Sequence, residues 1–245
     1  MDNDLTYPEY RERLNERLTV IHRRDAVPTT TDALLLAAFL KKAEGVACEL
    51  GAGGGLISLL AAARGVFSAI HLVEREPILA ALAVRNAEEN RLGDRLSVFC
   101  EDLRTFDGGE RYAAVFANPP YRRAGSGRPA AHPLADASRF ERAGGIADFC
   151  RAASRLLRPD GSFSVVFPTE RHAELSAALG AAGLFPAETV TVLPYPGGQS
   201  RICLVRAVKH PCADRPLALI LCRAANDRRP TEEAEEIYTN GVLPL

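Results

Sequence analysis

The sequence predicts one α/β domain over residues 1–245, built on a mostly parallel sheet with helices on both faces. Three observations lead there. Short apolar runs of β type alternate with helical stretches along most of the chain, the pattern of successive βαβ units. With 47% hydrophobic and 25% charged residues over 245 positions, the chain can bury a full core, which excludes disordered, collagen-like and disulfide-dependent folds. No internal repeat, low-complexity tract or Gly/Ser linker divides it.

Residues 1–45 read as an extension ahead of a core at 46–245. Val46–Leu50 is the first core strand, followed by a glycine turn and a helix over Leu56–Arg64. Ala69–Glu74 is a strand and Pro77–Arg91 a helix, with Pro77 in a first turn that tolerates it. Leu96–Cys100 and Ala113–Ala117 continue the sheet, Ile146–Leu157 is helical, and Ser162–Phe167 is a strand. A helix over Ala173–Ala182 stops at Gly183, and Arg201–Val208 and Leu217–Cys222 complete seven strands. Sheets of this kind bind ligands beyond the carboxyl ends of their strands, where the strand order reverses.

Composition narrows the chemistry. Cys48, Cys100, Cys150, Cys203, Cys212 and Cys222 are scattered without C-x-x-C spacing or clustered histidines, so they read as reduced thiols of a cytoplasmic protein and not as a metal site. The acidic start and the lack of any long apolar window predict no signal peptide and no membrane span. A net charge of -1 advertises no polyanion globally. Locally, Arg111, Arg122, Arg123 and Arg128 occur with no acid before Asp136, so a basic face on a neutral protein is expected.

Two sites stand at strand ends. Val46–Leu50 runs into Gly51-Ala52-Gly53-Gly54-Gly55, and glycines there admit positive φ and let a ligand come close. A dinucleotide fingerprint starting at Gly51 needs a third glycine at position 56, which is Leu56, so NAD and FAD fit poorly. The pattern E-x-G-x-G-x-G, formed by Glu49, Gly51, Gly53 and Gly55, instead resembles the S-adenosylmethionine (SAM) loop of Rossmann-like methyltransferases. Glu74, closing the next strand, suits the two hydroxyls of a ribose, and Asp102, after the third strand, suits an adenine amine; a solvated surface role is the alternative for each.

The second site is Asn118-Pro119-Pro120-Tyr121, directly after the fourth strand. Proline fixes its own φ and biases the preceding residue toward extended geometry, so this loop is rigid. The Asn118 side-chain oxygen and the Pro119 carbonyl can accept both hydrogens of one planar amino group, which favours the pyramidal nitrogen needed to attack a methyl donor. The Tyr121 ring can stack on the attached base.

Asn-Pro-Pro-Tyr after such a glycine loop is the signature of methyltransferases that act on planar amino groups of adenine, cytosine or glutamine. Three further stretches resemble the bacterial tRNA1(Val) (adenine-37-N6)-methyltransferase family: Asp25 to Leu36, Arg122 to Arg128, and Thr231-Glu232-Glu233. The resemblance implies a Rossmann-like class I SAM-dependent methyltransferase with a seven-stranded sheet, SAM as cofactor, tRNA as partner and N6-methylation of the adenine beside the anticodon. It implies catalytic roles for Asn118, Pro119 and Tyr121, with Asn118 also bordering the cofactor, and substrate contact by Pro120 and Tyr121. Thr31 and Asp32 either line the cofactor pocket or cap the apolar helix that follows. Arg122, Arg123 and Arg128 either meet phosphates beside an extruded base or sit in a solvated loop. Two other readings compete: a protein-glutamine methyltransferase of the release-factor type, and a non-catalytic RNA-binding or SAM-sensing module.

Overall fold

A computed structural model describes residues 8–15, 18–26, 28–108, 111–121 and 145–244. The chain opens on a hairpin of β1 (Glu9–Arg13) and β2 (Thr19–Arg23), followed by α1 (Thr31–Phe39). Then come β3 (Val46–Leu50), α2 (Leu56–Ala63), β4 (Ala69–Val73), α3 (Pro77–Glu89), β5 (Leu96–Phe99) and β6 (Tyr112–Ala117). After position 145 the order is α4 (Ile146–Leu156), β7 (Leu157–Pro168), a 3-10 turn (Thr169–Arg171), α5 (His172–Ala181), β8 (Phe185–Leu193), β9 (Ile202–Val208) and β10 (Arg215–Ile220). A second hairpin of β11 (Cys222–Ala224) and β12 (Asp227–Pro230) leads into α6 (Glu232–Asn240).

The central sheet has the order β10-β8-β9-β7-β6-β3-β4-β5. Strand β9 runs antiparallel to β7 and β8, and the other pairings in this sheet are parallel. The class matches the expectation, but the sheet has eight strands where seven are expected. The additional one is β8, whose sequence carries Pro186, Glu188, Thr189 and Thr191 among its apolar residues. Those polar groups are accommodated by distant partners: Glu188, 2% exposed, accepts from Lys41 and from Arg206 Nη2 at 2.9 Å, and Thr189 donates to Asp214 at 2.8 Å. Burial of polar groups with partners so far along the chain leaves no apolar period to read.

Alternation along the buried strands divides the core between the two faces. On β6, Phe116 joins the residues of α1 and α2, whereas Val115 and Ala117 join those of α4 and α5. Helix α1 starts at an extended Thr30, whose hydroxyl accepts from the Ala33 N–H, so Thr30 is the cap and Thr31 and Asp32 lie in the first helical turn.

The extension is not featureless. Its hairpin docks on α3, where Asn90 Oδ1 accepts from Thr19 N–H at 2.9 Å and Asn90 Nδ2 donates to Thr19 O at 2.7 Å. Asn86 repeats the pattern on Ile21, at 2.7 and 3.1 Å. Arg85 and Glu9 add an exposed bidentate pair outside them.

The central position of Phe116 makes it the test of this core. It is fully buried and stacks on Phe67 with ring centroids 6.2 Å apart. Phe116→Ala should lower unfolding free energy by about 3–5 kcal/mol, the usual range for a large buried aromatic. Denaturant titration followed by circular dichroism measures it, and a loss below about 1 kcal/mol would place the main packing elsewhere.

Candidate active site

Strand register assembles the site. Leu50 pairs with Val73 on one side and with Ala117 on the other, and Val73 pairs with Phe99. The segments that follow β3, β4, β5 and β6 therefore leave the sheet side by side at its carboxyl edge. The order reverses between β3 and β6, the place where a crevice opens in such sheets. A cavity of about 500 Å³ lies there, within the size range of small-molecule sites. Asp32, Glu49, Gly51, Gly53, Glu74, Asp102 and Asn118 border it, as do Pro119, Pro120 and Tyr121.

Two acids frame the glycine loop, Glu74 bonded to the loop itself and Glu49 to the helix that follows it. The Glu74 carboxylate accepts the Gly53 N–H on Oε2 and the Glu76 N–H on Oε1, both at 2.8 Å. Burial raises its pKa against the lowering effect of those two bonds. Glu49 is 2% exposed, and its Oε2 accepts from the Ser58 hydroxyl and, at 3.1 Å, from the Ser58 N–H. Burial pushes its pKa up to about 8. A Cβ on Gly53 would meet nothing within 4 Å, because that residue faces the open cavity. Gly55 differs: at φ +82° it starts α2, and a Cβ there would come within 3.0 Å of Leu72. It shapes the turn and does not border the cavity.

The Asn118 loop is anchored from below. The Tyr121 hydroxyl donates to Asn118 Oδ1, the Tyr121 ring packs edge-on against Phe167 at 5.9 Å, and Arg171 Nη1 donates to the Tyr121 carbonyl at 2.6 Å. The ring assigned to base stacking is thus engaged by the protein through its hydroxyl and a T-shaped pair with Phe167. Asp32 adjoins the same hydroxyl; burial raises the pKa of both groups, and the Asp32 charge adds to the rise at Tyr121.

Other expectations divide. Thr31 is exposed and does not border the cavity, a correction that follows from Thr30 taking the cap and turning Thr31 outward. Asp102 borders the cavity, but its carboxylate pairs with Arg104 Nε at 2.9 and 3.1 Å, and that bond holds its pKa below the usual carboxylate value. Arg122, Arg123 and Arg128 lie outside the described residues. Sequence reasoning missed Ser58, which meets an acid nine positions earlier across the glycine loop, and Arg171, which acts on Tyr121 fifty positions earlier. Among the described residues no group of His, Cys, Asp and Glu is gathered to hold a metal, and no helix is long and apolar enough to cross a membrane.

Comparison with known proteins agrees with this geometry. The Methyltransferase small domain family matches residues 22–183. A tRNA1(Val) (adenine(37)-N6)-methyltransferase of Bacteroides fragilis is 26% identical over 208 residues, covering 82% of this chain and 86% of that protein. The protein of the same name from Actinobacillus succinogenes is 32% identical over 160 residues, 64% of this chain and 67% of its own. Among solved structures, a predicted O-methyltransferase from Agrobacterium tumefaciens superposes with TM-score 0.64 at 24% identity, covering 86% of this chain and 96% of that one. TYW2 of P. horikoshii in complex with MeSAdo superposes with TM-score 0.59 at 14% identity, covering 84% and 73%. These two likenesses establish the fold.

Glu49 yields a pH test. A carboxyl whose folded pKa lies above its unfolded value binds more protons in the folded state, so its contribution to stability falls as pH rises from about 4.5 to about 8. In the ligand-free protein, Glu49→Gln should flatten that fall. Denaturant midpoints at pH 5.5 and 8 measure it, and an equal decline in both proteins would show that Glu49 does not titrate in this window.

Proposed function

The chain belongs to the Methyltransferase small domain family, and from that premise we propose that it uses SAM to methylate the exocyclic N6 of an adenine in tRNA, adenine 37 beside the anticodon of tRNA1(Val). One observation carries the reading: the glycine loop and the Asn-Pro-Pro-Tyr loop leave neighbouring strands at paired positions, Leu50 and Ala117, and border one cavity. The adenine and the tRNA come from the names of the relatives and the sequence signature.

The residues present fit SAM. The open space at Gly53 and the cavity wall of Ile57, Leu79, Leu103 and Phe149 suit a nucleoside whose planar base packs against apolar side chains. Each oxygen of an ionised Glu74 accepts one backbone N–H and retains a lone pair for a ribose hydroxyl. Glu49 and Asp32 would face the cationic end of the molecule. Bound SAM would supply an activated methyl group; the chain's own part is to hold the acceptor. Asn118 Oδ1 accepts from Tyr121 and keeps a second lone pair for an amino N–H, while the Pro119 carbonyl takes the other hydrogen. The Tyr121 contact and the Arg171 bond keep this acceptor fixed, so little reorganisation accompanies the reaction. Phosphate contact is assigned to Arg122, Arg123 and Arg128 from their position in sequence alone.

The test is methyl transfer from labelled SAM to individual tRNA transcripts, with purified release factor as the competing substrate. Label in tRNA1(Val) lost on replacing adenine 37 supports the proposal; label in the release factor alone overturns it in favour of glutamine methylation. Asn118→Ala should cut single-turnover transfer on the order of 10²–10³-fold, the effect of deleting one preorganised polar group, with SAM affinity nearly unchanged. Near-normal transfer by the folded variant would reduce the loop to a rigid turn.

A further inference from the structure

Helix α3 presents Asn86 and Asn90 four positions apart, about 6 Å along a helix axis. Thr19 and Ile21 of β2 are two positions apart, about 6.8 Å along a strand. The two spacings nearly match, so the asparagines satisfy the open edge of the hairpin as another strand would. They differ in one respect. Asn86 is fully buried, and its Nδ2 also donates to Gly54 O at 2.9 Å. Asn90 Nδ2 spends its other hydrogen on the Asn86 carbonyl within its own helix.

Asn86 therefore uses one acceptor and both donor hydrogens to tie two walls of the cavity, the β2 backbone at Ile21 and the glycine loop at Gly54. Space is tight at this junction: a Cβ on Gly54 would lie 3.3 Å from Leu82 and 3.6 Å from Asn86 Nδ2. Aspartate offers no donor, and leucine offers neither donor nor acceptor, so few side chains of this size can serve.

We infer that Asn86 is a positioning residue for cofactor binding: it sets the glycine loop against the N-terminal hairpin, and through that loop it fixes the site where SAM sits. The inference rests on the SAM reading of the cavity. Its side chain need not touch SAM. Because the loop geometry serves the bound molecule before any chemistry, the effect falls on affinity and not on turnover at saturation.

Calorimetry of SAM binding to the wild-type protein comes first, since failure there removes the cofactor reading itself. Asn86→Asp fills the same volume, keeps the acceptor for Ile21 N–H and loses both donors. It should weaken SAM binding about tenfold and raise the KM for SAM similarly, with kcat at saturating SAM within about twofold of wild type. Asn90→Ala is the control, because it loosens the hairpin without touching Gly54; it should lower the melting temperature yet change SAM affinity less than about threefold. Asn86→Ala replaces the aspartate variant if that one does not fold. Equal effects of the Asn86 and Asn90 variants on SAM affinity, an unchanged affinity in a folded Asn86 variant, or loss of folding in both Asn86 variants would overturn the inference, the last because Asn86 would then be a determinant of the fold.

Discussion

The pairing of β3 with both its neighbours is the constraint on which the rest depends. Leu50 stands opposite Val73 and Ala117 at once, so the segments that leave these strands start from one level. A shift of one residue would turn every side chain of a strand to the other face and carry Glu49 away from Ser58. The register is held by packing from both sides: Ala47 faces one core cluster while Cys48 and Leu50 face the other. Glu49 interrupts this apolar strand, and the first turn of α2 receives its carboxyl through Ser58. The same contact that accommodates a buried acid therefore fixes the entry angle of the helix after the glycine loop.

What the sequence made legible was whatever its chemistry kept contiguous. The glycine run, the acid ending β4 and the Asn-Pro-Pro-Tyr segment each carry their own geometry, because glycine and proline restrict the backbone wherever they stand. Local alternatives were harder to separate. Thr30, Thr31 and Asp32 are all competent helix caps, and only the folded chain selects Thr30 and leaves Asp32 at the cavity. Polar burial was the least legible, since Glu188 is explained by Lys41 at a separation of 147 residues and by Arg206. Asn86 and Asn90 likewise read as ordinary polar positions of a helix until β2 is seen against them. The charged alternation of β1, Glu9-Tyr10-Arg11-Glu12-Arg13, hides a strand whose partner surface is also polar.

Among the carboxyl groups that border the cavity, Asp32, Glu49 and Glu74 are the ones whose pKa burial raises. Placing buried acids in one site opposes folding, because desolvation disfavours their charged forms and the Glu74 charge further raises the pKa of Glu49. Such an arrangement is stabilised by a ligand that brings positive charge into the cavity. SAM carries a sulfonium and an ammonium against one carboxylate, and is net cationic at neutral pH. Its entry would favour ionised acids and offset the repulsion between them, with the differential free energy appearing as binding affinity.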